Sequence, residues 1–196
     1  MFSAARELNA RCVALLVQAA AVYSAEKVTP AIEALRSFTP DADARACDRA
    51  ARCPVLLVDL KFQNPVWWER VAVGLPATMH VNAPVGLFTK EAAQPLLHEI
   101  LMQVWSTARS RPSATHLFFG ISPRAMHAIA QLSLPEISRI AYDHAGYLRP
   151  RWEDRRMFWQ RLRQAAVGED DEELVDVQLH CLTLLGGDLV PLRQIG

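Results

Sequence analysis

The chain has 196 residues, of which 51% are hydrophobic and 21% are charged, a composition typical of a globular protein and not of a disordered one. A chain of this length holds one large or two small domains around a substantial hydrophobic core. The 21 basic residues balance the 21 acidic residues, which excludes a general electrostatic attraction to DNA or to an anionic membrane.

Ser, Thr or Asn followed by Pro, a usual start of a helix, recurs along the chain between stretches of helical apolar spacing. In the first half these signals predict helices over residues 4–24, 30–36 and 39–52 and a short one from Asn64-Pro65. In the second half they predict helices over residues 90–109, 116–119, 124–131, 134–141, 157–166 and 173–185, the last ended by Gly186-Gly187. The chain is therefore predicted to be all-α.

The apolar residues 55–62 allow two interpretations. Their β-branched content fits a buried strand, and periodicity cannot decide the structure of so short a run. Residues 135–141, which occupy the corresponding place in the second half, have clear helical spacing. By analogy we expect both segments to be helices.

Several features of the first half recur in the second half in the same order. Cys53-Pro54 corresponds to Leu134-Pro135, and Trp67-Trp68-x-Arg70 corresponds to Phe158-Trp159-x-Arg161. Such recurrence is typical of an internal duplication. We therefore predict a tandem repeat of a short-helix bundle flanked by longer helices. Its predicted parts are a degenerate first repeat over residues 1–76, a linker over 77–88, a second repeat over 89–188 and a flexible tail over 189–196.

Residues 117–141 resemble the FlhD family, the non-zinc subunit of the flagellar master transcriptional activator. The first matching features are a turn at Phe119-Gly120-Ile121 and an Ala-rich helix over residues 124–131. They are followed by a second turn at Leu132-x-Leu134-Pro135 and by a helix that ends in Ile140-Ala141. Residues 149–162 resemble the basic and aromatic segment of that family, and residues 173–185 resemble its closing helix. The chain is about twice as long as the family's usual members and has no cysteine around residues 146–150.

The resemblance implies a helical regulator subunit that forms homo- or hetero-oligomers. It implies an FlhC-like zinc-containing partner and contact with promoter DNA through the complex. Relatives of this pair also regulate transfer genes of mobile elements, so flagellar genes need not be the target.

Six arginines lie within residues 149–163, interleaved with two tryptophans and only two acidic residues. Arginine pairs with phosphate and stacks on aromatic rings or bases, which makes this segment the strongest candidate for contact with DNA or with a DNA-adjacent partner. The candidate residues are Arg149, Arg151, Trp152, Arg155, Arg156, Arg161 and Arg163. The alternative is a solvated helix face whose arginines pair with Glu153 and Asp154.

Large apolar residues at the two repeated positions are candidate interface anchors, because aromatic side chains dominate contact energetics. They are Trp67, Trp68, Leu134, Pro135 and Trp159. A core position is the alternative for the tryptophans. Residues 122–140 also allow a degenerate helix-turn-helix, but Glu136 and Asp143 would oppose phosphate, so a packing module is the better interpretation.

No catalytic or metal-binding signature is visible. The four cysteines form no C-x-x-C pair, and His98-Glu99 lacks the second histidine of a metallopeptidase helix. We therefore expect no enzyme activity, no metal and no cofactor. The N-terminus lacks the pattern of a secretory signal, and the apolar runs fall short of the roughly 20 residues that span a bilayer, so we expect a cytoplasmic protein without membrane association.

Two functions follow from these patterns. The first is a transcriptional regulator subunit that resembles FlhD and acts with a DNA-binding FlhC-like partner. The second is a helical adaptor or chaperone of a secretion or conjugative-transfer apparatus that never contacts DNA.

Overall fold

The computed structural model describes residues 2–22, 29–36, 44–76 and 87–189. Of these residues 75% are helical and only two short strands occur among them, which confirms the all-α class. The helices are α1 (Phe2–Val22), α2 (Pro30–Leu35), α3 (Ala44–Ala50), α4 (Pro65–Ala72), α5 (Lys90–Ser110), α6 (Pro112–Phe119), α7 (Pro123–Ala130), α8 (Leu134–His144), α9 (Arg156–Val167) and α10 (Asp171–Leu189). Strand β1 (Val58–Asp59) pairs antiparallel with β2 (Arg149–Pro150), just after a 3-10 turn at Ala145–Tyr147.

The predicted starts of α4, α5 and α7 are confirmed by their capping hydrogen bonds. The side chain of Asn64 accepts a hydrogen bond from the backbone N–H of Trp67 at 3.0 Å. In the same way, the hydroxyls of Thr89 and Ser122 each accept from the backbone N–H three residues further along the chain, both at 3.3 Å. Each bond satisfies one N–H that a helix N-terminus leaves without a partner. These starts are local chemistry, so the sequence alone predicts them.

One continuous core joins the two predicted halves of the chain. Helix α5 packs against α1, α6, α7 and α8, while α9 packs against α2, α3 and α10. Helix α4 packs against α7 and α8. Elements from residues 2–76 are thus interleaved with elements from residues 87–189 in the same buried cluster. The tandem repeat stays a prediction.

The expected helix over residues 55–62 is wrong. The segment is not helical: it bends on both sides of the two-residue strand β1, and its apolar side chains are fully buried. The side-chain amide of the fully buried Asn9, on α1, donates to the carbonyls of Cys53 at 3.0 Å and Val55 at 2.9 Å. Its oxygen accepts from the N–H of Leu57 at 3.0 Å. These bonds satisfy backbone groups that a helix would otherwise have satisfied internally.

Two further backbone hydrogen bonds hold the same segment in this non-helical course. The N–H of Leu56 donates to the carbonyl of Phe118 at 3.0 Å, and the N–H of Arg151 donates to the carbonyl of Leu57 at 2.8 Å. The matching segment in the second half is helical, as predicted, within α8. The two segments that the duplication aligns therefore have different secondary structures.

Other predicted boundaries are also corrected. Gly186-Gly187 do not end the last helix, because α10 continues to Leu189. Both glycines are exposed and face open space, so their missing side chains remove no packing contact. Helix α6 begins at Pro112, which takes the first helical position. The predicted Thr39-Pro40 cap, most of the 77–88 linker and all of the tail except Leu189 lie outside the described residues.

Candidate partner-binding surface

The arginine-rich residues 149–163 do not form one continuous basic surface. The segment starts in β2, passes through a turn at residues 151–154 and continues along α9. Trp152 has a left-handed backbone with a φ of 51°, so the side chains before and after it point in different directions. The predicted site residues are therefore divided between the core and the surface.

Arg151 is a core residue, with only 4% of its surface exposed. Its guanidinium donates to the carbonyl of Phe119 at 2.6 Å and lies 3.5 Å from the carboxylate of Asp59. It also fills the space beside Gly120, which has a left-handed φ of 56° and leaves no room for a Cβ. Arg151 thus joins β2 to the Phe119-Gly120 turn, and it is not positioned to contact a phosphate.

The two tryptophans of this segment are also held inside the chain. Trp159 is buried, and its indole N–H donates to the carbonyl of Trp152 at 3.0 Å. The half-buried Trp152 donates its own indole N–H to the carboxylate of Asp188 on α10 at 2.7 Å. These bonds attach the end of α10 to the turn before α9.

Of the remaining five arginines, three are engaged within the chain. Arg149 pairs with Glu153 at 3.4 Å, and Arg156 pairs with Glu33 at 3.0 Å. Arg163 is half-buried and has a partner in the chain. Arg155 and Arg161 are exposed, and within the described part of the chain neither forms an ion pair. The basic surface is therefore smaller than the composition suggested.

The predicted interface anchors divide in the same way. Trp67 and Trp68 are buried in an aromatic cluster with Phe62, His144 and Tyr147. Burial in this cluster lowers the pKa of His144, because it disfavours the charged imidazolium. Leu134 and Pro135 are instead exposed at the start of α8. Trp67, Trp68 and Trp159 are thus core residues of this chain, and their role at an interface stays a prediction.

Helix α10 carries a surface that the sequence analysis missed. Its inner face, Leu174, Val177, Cys181 and Leu185, is buried. On the other side Val175, Leu179 and Leu182 are 51%, 57% and 47% exposed, and we call these three residues the outer stripe. A surface helix normally turns a polar face to water, so this second apolar face is a candidate surface for contact with another molecule. The steps of four and three residues within residues 173–185 could have shown it.

The surface around the outer stripe is acidic. Residues 169–188 contain seven carboxylates and no Lys or Arg. Glu172 and Asp176 lie one helical turn or less from the stripe, are exposed, and make no ion pair with any residue in the described ranges. The exposed arginines near α9 therefore lie close to a cluster of carboxylates on α10, although the chain as a whole is neutral.

Arg49 fixes the position of α10 against α9. Its side chain is 4% exposed and donates to the carbonyls of Ala165 at 3.1 Å and Asp170 at 2.7 Å. It also pairs with the carboxylate of Asp171 at 2.5 Å. The first acceptor is an end carbonyl of α9 and the last is in the first turn of α10, so one guanidinium stabilises both helix ends.

A groove of about 320 Å³ separates α9 from α10 and is lined by Arg161, Gln164, Ala165, Glu173, Asp176 and Val177. Its walls carry one arginine and two carboxylates, which suits polar side chains of a partner. No group of three potential metal ligands occurs among the described residues, and none of the helices that the structure describes is long and apolar enough to cross a membrane.

Cys12, Cys53 and Cys181 are buried free cysteines. Cys53 and Cys181 lie 3.5 Å apart, Sγ to Sγ, and this contact together with burial raises the pKa of Cys181. Burial likewise raises the pKa of Cys12. A thiol acts as a nucleophile or metal ligand in its thiolate form, so these positions are typical of packing residues.

Comparison with family models, with curated proteins and with solved structures found no match to this chain.

Proposed function

We propose that this chain is a transcriptional regulator subunit, similar to FlhD, which acts by binding an FlhC-like zinc-containing partner that contacts promoter DNA. The observation that carries the proposal is the outer stripe of α10, a second apolar face on a helix whose inner face is already buried. The proposed role is non-catalytic and cytoplasmic, and it requires no cofactor. Recognition of the partner, and not of a small molecule, is the function of this surface.

Arg155 and Arg161, the exposed arginines near α9, set how much the chain contributes to DNA affinity. If Arg155 and Arg161 each neutralise one phosphate, the logarithm of the affinity falls with the logarithm of salt concentration at a slope of about −1.8. This slope gives only about a 12-fold loss between 50 and 200 mM salt. Sequence-specific proteins make more phosphate contacts, so most of the DNA affinity is expected from the partner.

A second candidate function is a helical adaptor or chaperone of a secretion or conjugative-transfer apparatus. The observation that favours it is the engagement of four of the six predicted arginines, Arg149, Arg151, Arg156 and Arg163, inside the chain. An adaptor needs the outer stripe but no phosphate contact.

The discriminating experiment measures promoter binding by fluorescence anisotropy with the chain and an FlhC-like subunit purified together. A regulator subunit forms a DNA complex that neither protein forms alone. Arg155→Ala with Arg161→Ala is expected to weaken that complex and to reduce its salt slope by about 2. The control is Arg45→Ala with Arg111→Ala, two other exposed arginines, of which Arg45 pairs with Glu169 at 3.4 Å.

A pair of proteins that assembles but binds no promoter DNA would exclude the regulator and favour the adaptor. Equal effects of the two double variants would show that the arginines near α9 have no special role.

A further inference from the structure

We propose that the outer stripe of α10 binds an amphipathic helix of a partner protein, one that carries Lys or Arg on the side of its apolar residues that faces Glu172 and Asp176. The inference rests on the proposed function, since it describes the partner segment that the chain recognises. It follows from the spacing of the stripe, the rigidity of α10 and the charges beside it.

The spacing of the stripe is that of paired helices. Val175, Leu179 and Leu182 are separated by four and three residues, and the next step of four reaches Gly186. Apart from the backbone of α10 itself, no atom of the described residues lies within 4 Å of the position that a Cβ of Gly186 would take, so these residues leave room there for a partner side chain. Alternating steps of four and three keep apolar residues on one seam between two helices. The seam from 175 to 186 is about 16 Å long, or about three helical turns.

Helix α10 is held along its length, which makes the stripe a preformed surface. Arg49 binds its first turn, and Gln178 donates to the carbonyl of Arg52 at 3.0 Å. Cys181 contacts Cys53, and Trp152 binds Asp188 near the C-terminal end. Because these contacts order the helix before binding, this chain loses less conformational entropy when a partner docks.

The charges beside the stripe specify the partner. Glu172 and Asp176 are exposed close to Val175, and α10 presents no basic side chain other than His180. Opposite charges across an interface give specificity, and like charges oppose the wrong partner. Lys or Arg beside the apolar residues of the partner would pair with these carboxylates. A second copy of α10 in parallel would place its own Glu172 and Asp176 against these carboxylates, and DNA would oppose them with its phosphates.

The test uses two designed helical peptides with Leu at the paired-helix spacing, one with Lys and one with Glu at the flanking positions. Each labelled peptide is titrated with the full chain in an anisotropy assay. We expect the Lys peptide to bind, more weakly as salt rises, and the Glu peptide not to bind. Leu179→Asp should weaken binding of the Lys peptide at least tenfold.

The chain offers a matched control for that variant. Leu117, on α6, is 58% exposed against 57% for Leu179, so Leu117→Asp introduces the same charge at an equally exposed leucine elsewhere. It should leave binding unchanged. Asp176→Lys should weaken binding of the Lys peptide and favour the Glu peptide. If Leu179→Asp unfolds at nearly the same temperature as the wild type, its loss of peptide binding is not caused by a loss of folding.

Three results would overturn the inference. They are absence of Lys-peptide binding, equal binding of both peptides, and binding that Leu179→Asp leaves intact. Sedimentation that shows a dimer of the wild type, lost in Leu179→Asp, would assign the stripe to a second copy instead. If Leu179→Asp still assembles with the FlhC-like subunit on promoter DNA, the stripe is not the docking site while the proposed function stands.

Discussion

Asn9 allows the sharpest test of how this fold is held, because its side chain bonds three backbone groups of the non-helical 53–57 segment. Replacing Asn9 by Ala removes two donated hydrogen bonds, of 3.0 and 2.9 Å, and one accepted bond of 3.0 Å. Each buried bond contributes roughly 1 kcal/mol net, and a buried group left without a partner costs up to about 3 kcal/mol. We therefore expect the free energy of unfolding to fall by about 3 to 5 kcal/mol.

The measurement is urea denaturation followed by tryptophan fluorescence, since Trp67, Trp68 and Trp159 are buried and report on the core. Gln18→Ala, at an exposed position of the same helix, is the control and should change stability by less than about 0.5 kcal/mol. Asn9→Asp keeps the acceptor for the N–H of Leu57 but places a carboxylate against two carbonyls, so it should be at least as destabilising near neutral pH. A loss below about 1 kcal/mol for Asn9→Ala would refute the claim that this amide holds the segment.

Substitutions at Gly120, Arg49 and His144 test three other parts of the structure by the same denaturation assay. Gly120→Ala should cost about 3 kcal/mol or more, because the left-handed backbone disfavours a Cβ and the Cβ would overlap a buried guanidinium; an unchanged midpoint would contradict the turn geometry. Arg49→Ala should cost about 2 to 4 kcal/mol through the lost bonds at the α9–α10 junction, with Arg49→Lys intermediate. Because the pKa of His144 is lowered in the folded chain, the unfolded chain takes up a proton first as pH falls through 6.5, so stability should decrease from pH 7.5 to 5.5. His144→Phe should reduce that decrease, and an equal pH dependence in both proteins would contradict it.

The helices were predictable from the sequence because their signals act over a few residues. Asn64, Thr89 and Ser122 each cap a helix by accepting a hydrogen bond from the backbone N–H three residues later. Asn64 and Ser122 are each followed by Pro. The apolar faces of α5 and α8 follow from spacing alone.

The non-helical course of residues 55–62 was not predictable in this way, because it depends on residues far along the chain. Asn9 is 44 to 48 residues away from the groups that it bonds, and Phe118 and Arg151 are farther still. Analogy with residues 135–141 failed since that segment has no such partners and satisfies its own backbone as a helix. Tertiary contacts of this kind override local preference.

The candidate site was only partly predictable for the same reason. Composition identified the arginine cluster, but it does not distinguish Arg151, buried beside Gly120, from Arg155 and Arg161, which remain exposed. The outer stripe was visible as spacing in residues 173–185, yet the same residues also supply the inner face, and only the packing of α10 shows which side is covered.

The Phe119-Gly120-Ile121 turn has a consequence for how descent and activity are related in proteins of this kind. A Cβ at Gly120 would overlap the guanidinium of Arg151, and Ile121 is fully buried, so we expect selection for architecture to keep this signature. The outward leucines of α10 are under no such constraint from the core. Two descendants of one ancestor would keep the turn while exchanging the leucines, and would thereby acquire different binding specificities on an unchanged scaffold.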